Sequence, residues 1–284
     1  MNNLVVRTLT GVLFVAALVG AIVIGPLTFV ALFAVVTGLA LWEYSSLMNE
    51  HAGASVNRLI TTLAGTYLFL AFAAYVSGYQ GSEVFIPYLV TVIYLPIAEL
   101  YLKKPDPLKN WAYAFAGQMY VALPFSLLTV LGFIETDAGS APLASYNFLL
   151  PLCVFIFLWT NDTGAYCCGS LLHKRFPAKL FERISPNKSW VGSIGGGVLC
   201  LVAAVVLNLC FPDQMKLTQW CGFALTVCVF GTLGDLVESH LKRHLGIKDS
   251  GNILPGHGGI LDRFDSSLMA IPATVVYFYT LNMF

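Results

Sequence analysis

The chain has 284 residues, with 15 Lys and Arg balanced by 15 Asp and Glu, 57% hydrophobic residues and only 11% charged. A soluble domain of this length normally carries about 25% charged residues, so a single water-soluble core is excluded, and a neutral net charge gives no reason to expect a nucleic-acid partner. With a mean hydropathy of +0.76 and apolar residues gathered in long blocks, the composition predicts an all-α, polytopic integral membrane protein.

In chain order the blocks cover about 9–24, 26–44, 59–77, 84–102, 111–134, 146–160, 191–210, 217–234 and 264–282, which predicts about nine transmembrane helices. The sixth is short and contains Pro151, which a tilted or partly buried helix tolerates. The first block is followed too closely by the second to read as a cleaved signal peptide, and Arg7 is a weak basic flank.

The basic residues predict the orientation. With the N-terminus in the cytoplasm, 14 of the 15 Lys and Arg fall on the inner side, and only Lys216 lies outside. This is the positive-inside bias; it puts the C-terminus on the outer side. The expected location is the cytoplasmic (inner) membrane, with the catalytic cavity at its cytoplasmic face. Residues 1–145 read as N-terminal scaffold and lipid-access helices, and residues 146–284 as the catalytic region with cytoplasmic loops, because the polar residues concentrate from Asn161 onward. The seven cysteines sit mostly within apolar spans and read as small core residues without an assigned function.

Four polar segments carry the chemistry. In Trp159–Phe176, Asn161 and Asp162 end an apolar block; Asp162 is either a solvated carboxylate at the membrane edge or the lining of a cytoplasmic cavity. In Ile184–Gly197, Ser185-Pro186 predicts a turn or helix start. Lys188 and Ser189 follow, and then glycines 192, 195, 196 and 197. These glycines are either close-packing helix residues or, with Lys188, Ser189 and free backbone N–H groups, a hold on phosphate oxygens. There is no Walker pattern. In Gly234–Gly251, a helix running past the membrane edge places Asp235, Glu238 or Ser239, and Lys242 on one face, with Arg243 and Lys248 nearby. Asp235 ends an apolar stretch, where an ionisable group is costly unless paired or metal-bound.

The fourth segment, Gly256–Asp265, has three glycines around His257 before Asp262-Arg263-Phe264-Asp265. Asp262 and Asp265 lie about one turn apart at the start of the last span, where carboxylates suit the helix dipole. Asp235 and Asp262, hard oxygen ligands from separate helix ends, suit Mg²⁺, which prefers carboxylates together with substrate phosphates. Lys and Arg would neutralise the remaining phosphate charge. This is the toolkit of phosphoryl or nucleotidyl transfer, and the membrane setting implies a lipid substrate.

Residues 239–265, SHLKRHLGIKDSGNILPGHGGILDRFD, resemble the signature of the phosphatidate cytidylyltransferase (CDP-diglyceride synthase) family at twelve positions across 27 residues. These are Ser239, Lys242, Arg243, Lys248, Asp249, Pro255, His257, Gly258, Gly259, Asp262, Arg263 and Asp265. Asp162 with Ala165-Tyr166, and Ile184-Ser185-Pro186 with Lys188-Ser189, resemble two further family elements. Val191-Gly192 stands where Glu-Gly is usual, which removes a polar contact, and His173-Lys174-Arg175 stands where a Gly-Lys pair is commoner.

The resemblance implies transfer of CMP from CTP to phosphatidate, giving CDP-diacylglycerol and pyrophosphate with Mg²⁺, in a protein that forms a homodimer. It implies metal ligation by Asp235 and Asp262, with Glu238, Asp249 and Asp265 as further ligands or as supports for the basic residues. Lys188, Lys242, Arg243 and Arg263 would hold phosphates, and His257 would face the pyrophosphate or order the loop. Asp162, Ser185, Ser189, Ser239 and Lys248 complete the expected substrate-binding set. A CTP-dependent lipid kinase of the polyprenol type and a transporter are the alternatives.

Overall fold

The computed structural model describes residues 3–134, 145–172, 174–253 and 258–281. Pro255 and His257 therefore lie outside the described residues, as does His173. The described residues are mainly helical, and six helices are long and apolar enough to cross a membrane: Pro26–His51, Arg58–Val76, Ser82–Leu102, Pro107–Gly132, Trp190–Cys210 and Leu217–His244. The protein is an all-α polytopic membrane protein. Side chains such as Ile24, Leu27, Leu100 and Leu209, each more than 70% exposed, present an apolar exterior that lipid, not water, would solvate.

The helices begin and end on local signals. Helix α1 (Asn3–Ile24) and helix α2 (Pro26–His51) are separated by Gly25, with Pro26 in the first turn of α2, where its missing N–H costs nothing. Asn57 caps α3 (Arg58–Val76) by accepting from the Ile60 N–H at 3.2 Å. A 3₁₀ turn at Ser82–Phe85 leads into α4 (Ile86–Leu102). Asp106 caps α5 (Pro107–Gly117) through the Lys109 N–H at 3.0 Å. The chain then passes through one π turn, Gln118–Ala122, into α6 (Leu123–Gly132). Pro124 lacks the N–H an α-helix would use there, and the Leu123 N–H instead reaches the Gln118 carbonyl.

Short strands β1 (Phe133–Ile134) and β2 (Ser145–Tyr146) pair antiparallel. Helix α7 (Leu149–Leu172) follows; Pro151 falls in its first turn, where it is tolerated. Strands β3 (Lys179–Phe181) and β4 (Ser185–Ser189) form a hairpin before α8 (Trp190–Cys210). The turn or helix start expected at Ser185-Pro186 is thus a strand, and the helix begins at Trp190; β4 pairs with β3 alone, leaving it an edge on which Pro186 is allowed. Helix α9 (Leu217–His244) and helix α10 (Leu261–Thr280) complete the chain. Several helices outrun the apolar blocks. Helix α7 continues to Leu172 and α9 to His244, because the backbone ladder does not require apolar side chains once it is nucleated.

The chain forms two compact units. The first contains Met1–Pro151 together with Leu245–Phe264. Its core is aromatic: Phe33, Phe125 and Phe264 meet with centroids 5.3–6.3 Å apart, and Phe14 lies 5.7 Å from Phe264. Such pairs contribute about 0.5–1.5 kcal/mol beyond area burial. Phe264, between Arg263 and Asp265, is 2% exposed, so it anchors the start of α10. A polar set completes this unit: Asn110, 3% exposed, donates to Glu99 at 3.0 Å and accepts from the Ser55 N–H at 2.7 Å, and Lys104 pairs with Glu99.

The second unit contains Leu152–His244 and Asp265–Phe284. Phe223 packs against Phe157 at 5.1 Å and against Phe278 at 5.0 Å. Three glycines of α8 bring it against α7: a Cβ on Gly192 would lie 2.9 Å from the Ala165 carbonyl oxygen, one on Gly195 2.3 Å from Cys168 Sγ, and one on Gly196 2.8 Å from the Asn161 carbonyl oxygen. The glycine run is a helix-packing surface. Cys153, Cys200 and Cys228 are buried free thiols.

Gly196→Ala should therefore destabilise the protein by about 1–3 kcal/mol, the cost of overpacking against backbone that cannot yield. Gly20→Ala, where nothing lies within 4 Å of the added carbon, should be neutral or slightly stabilising. Thermal unfolding of both variants in one detergent checks this; equal midpoints would contradict the packing role.

Candidate active site

Within the second unit, a cavity of about 280 Å³ opens between the end of α7, the β4 strand and the polar stretch of α9. It is lined by Asn161, Asp162 and Tyr166 from α7, by Ser185, Asn187, Lys188 and Ser189 from β4, by Thr232 and Asp235 from α9, and by Ser266 from α10. Five of the expected site residues, Asp162, Ser185, Lys188, Ser189 and Asp235, thus share one cavity with Asn161, Ala165, Tyr166 and Gly192. Ligand clefts commonly measure about 300–1,000 Å³, so this one suits a phosphorylated head and not a whole lipid.

Charges of both signs meet in this cavity, from Asp162, Asp235 and Lys188. Lys188 forms an ion pair with Asp235. Asp162 is repelled by Asp235 and attracted by Lys188. Asp265, on the first turns of α10, feels Asp235 and Asp162 as like charges and Lys242 as an opposite one. Three carboxylates thus press on one another, and two ammonium groups partly offset them. Asp162 is exposed, and Asp235 and Asp265 are half-buried.

Helix α9 orders the next row. The Ser239 hydroxyl donates to Asp235 at 3.1 Å, and Lys242 pairs with Glu238 at 3.3 Å, both at i, i+4 spacing. Glu238 is 1% exposed, so its charge is held in the protein by Lys242. Arg243 is exposed beyond it.

Ser189 has a local duty: its hydroxyl accepts from the Gly192 N–H at 3.2 Å and caps α8. Asn161, 4% exposed, donates to Thr232 at 3.1 Å and accepts from Cys228 Sγ, joining α7 to α9 at the cavity wall. Asn187, Thr232 and Ser266 carried no signal in the sequence, since single Asn, Thr and Ser residues are common in loops and helices alike.

Residues 245–264 of the signature segment belong to the first unit. Lys248, Asp249 and Arg263 are exposed there. Asp262 accepts through Oδ2 from the Ser250 and Gly259 N–H groups, both at 2.8 Å. Gly258 has φ +84°, and a Cβ on it would lie 2.6 Å from that same oxygen, so the conformation and the close approach both require glycine. The sequence reading passed over Glu43 on α2, which is 5% exposed and accepts from the Ile260 and Leu261 N–H groups at 2.9 and 3.1 Å and from the Ser250 hydroxyl. A charge inside an apolar block was the available signal.

Among the described residues, no three His, Cys, Asp or Glu side chains gather tightly enough to hold a metal on protein ligands alone.

In this helical membrane protein the cavity brings Asp162 and Asp235 together with Lys188. The cytidylyltransferase family model matches residues 5–281. The chain is 35% identical over 270 residues to the phosphatidate cytidylyltransferase of Bacillus subtilis (strain 168), covering 94% of both chains. It is 34% identical over 270 residues to that of Staphylococcus haemolyticus (strain JCSC1435), covering 94% of this chain and 96% of the relative. Against the enzyme of Staphylococcus aureus (strain COL), identity rises to 49% over 122 residues, 43% of this chain and 45% of the relative. The chain belongs to the cytidylyltransferase family and is a CTP-dependent nucleotidyltransferase.

If Ser189 acts chiefly as a helix cap, Ser189→Ala should lower stability by about 1 kcal/mol and Ser189→Gly by only a few tenths. Thermal unfolding of the two variants separates them; a Gly variant as unstable as the Ala variant would contradict the cap.

Proposed function

We propose that the protein is a phosphatidate cytidylyltransferase, which transfers CMP from CTP to phosphatidate to give CDP-diacylglycerol and pyrophosphate. The observation that carries this reading is the twelve-position signature at residues 239–265 in a chain matched over 94% of its length by relatives bearing that name. The cavity around Lys188 and Asp235 supports it.

A phosphate oxygen of phosphatidate attacks the α-phosphorus of CTP. A new P–O bond forms, the bond from the α-phosphorus to the oxygen bridging to the β-phosphate breaks, and pyrophosphate leaves with the bonding electron pair. The attacking phosphate is already ionised near neutral pH, so no strong base is needed. What is needed is screening of charge between two anions. Lys188, Lys242, Arg243 and Arg263 are proposed to supply it at the phosphate oxygens. Ser185, Ser189, Ser239 and Lys248 are proposed to position substrate with them, and His257 to face the pyrophosphate.

Asp235 and Asp262 are the carboxylates proposed to bind Mg²⁺, with Glu238, Asp249 and Asp265 as further ligands or as supports for the basic residues, and Asp162 in the substrate-binding set. The ion, when bound, supplies Lewis-acid polarisation of phosphoryl oxygens. The proposed setting is the cytoplasmic membrane, with the N-terminus and the site on the cytoplasmic side, as the one-sided distribution of Lys and Arg supports.

Purified protein in mixed micelles, given CTP, phosphatidate and Mg²⁺, should release pyrophosphate only when phosphatidate is present. Asp235→Asn and Asp262→Asn should each reduce turnover by about 10²–10³-fold, the scale of losing an electrostatic group at a phosphoryl or acyl centre, with the thermal midpoint retained. Release of CDP with a newly phosphorylated lipid would identify a kinase instead, and near-normal turnover of either variant across Mg²⁺ concentrations would overturn its metal role.

A further inference from the structure

We infer that Glu43, on α2, is a positioning residue for the site: its carboxylate holds the segment 250–262 so that Asp262 is presented in a fixed orientation from the first turn of α10.

Glu43 lies in an apolar helix and is 5% exposed. Among the described residues no Lys or Arg forms an ion pair with it. Its donors at Ser250, Ile260 and Leu261 all come from the signature segment. Oε2 accepts the Ile260 N–H at 2.9 Å, and Oε1 accepts the Leu261 N–H at 3.1 Å and the Ser250 hydroxyl. Ile260 and Leu261 are the residues that open α10, where the helix dipole is positive and N–H groups lack partners within the helix. The cap that a neighbouring Ser or Asp usually gives comes here from a glutamate more than 200 positions away in sequence.

The same oxygens are wired to Asp262. The Ser250 hydroxyl, which donates to Glu43, also accepts from the Asp262 N–H at 3.3 Å, while the Ser250 N–H donates to Asp262 Oδ2 at 2.8 Å. Ser250 therefore couples the two carboxylates. The glycines of the segment make room for this. A Cβ on Gly259 would lie 2.0 Å from Glu43 Oε1, and one on Gly251 2.8 Å from Glu43 Oε2. Gly259 thus has a reason to be glycine that is independent of any substrate.

Glutamine at position 43 keeps the size of the side chain but turns one acceptor into an N–H₂ donor, which would face a backbone N–H or the serine hydroxyl. A hold that depends on the carboxylate must loosen. The metal part of this inference rests on the assignment of Asp262 proposed above; the hold on 258–264 does not.

The test uses the full-length protein in detergent, comparing wild type with Glu43→Gln and with the milder Ser250→Ala. Hydrogen–deuterium exchange of peptides covering 258–264 should accelerate at least tenfold in Glu43→Gln and less in Ser250→Ala, with α8 and α9 exchanging as in wild type. Mn²⁺, titrated as the probe, should bind about tenfold more weakly. The Mg²⁺ concentration for half-maximal turnover should rise by a similar factor, and most of the activity should return at saturating Mg²⁺. Wild-type exchange at 258–264 in both variants overturns the inference, as does an activity loss that is uniform at every Mg²⁺ concentration. Wild-type Mn²⁺ affinity in Asp262→Asn would instead overturn the metal assignment and leave the exchange data to decide the role of Glu43.

Discussion

A carboxylate placed in an apolar helix bundle must find its donors in the protein, because lipid offers none. Glu43 meets that condition by accepting two backbone N–H groups and one hydroxyl from residues 250–261. This contact ties a helix from the first fifth of the chain to the segment that carries most of the signature. It gives α10 its start, gives Ser250 its orientation, and leaves Gly251 and Gly259 no room for a side chain. Phe264 reinforces the arrangement by burying its ring among Phe14, Phe33 and Phe125. The N-terminal helices, which look like inert scaffold by composition, thereby take part in building the segment on which the chemistry is proposed to rest.

The second unit solves a related problem differently. Asp162, Asp235 and Asp265 repel one another, and Lys188 and Lys242 answer them only in part. Residues that existed only for stability would be better replaced by apolar ones of similar volume. Carboxylates with perturbing charged neighbours cluster at functional sites, and the proposed transfer must bring two phosphate anions together. Close packing through the glycines of α8 holds α7, and with it Asp162, against the β4–α8 junction that carries Lys188.

Much of this was legible in the sequence. Apolar blocks marked the helices, since burial in lipid imposes a length and composition that few other settings share. The helical periodicity after Gly234 put Asp235, Ser239 and Lys242 on neighbouring turns, and the Ser239–Asp235 contact follows it. Helix ends were less legible, because α7 and α9 continue on polar residues where hydropathy falls away. Ser185-Pro186 read as a turn because proline punctuation does not distinguish a turn from an edge strand. Glu43 was missed for a different reason: its partners are more than 200 positions distant, and no local spacing rule reaches that far. The glycines 192, 195 and 196 fitted both phosphate binding and close packing, and the structure shows the close packing.

The most direct test of the account follows the phosphorus atoms of CTP. With purified protein, phosphatidate and Mg²⁺ in mixed micelles, CTP labelled at the α-phosphate should place its label in the lipid product. CTP labelled at the γ-phosphate should place its label in pyrophosphate and none in lipid. Lipid carrying the γ-label would mean that the terminal phosphate is transferred, and would contradict the proposed cytidylyl transfer.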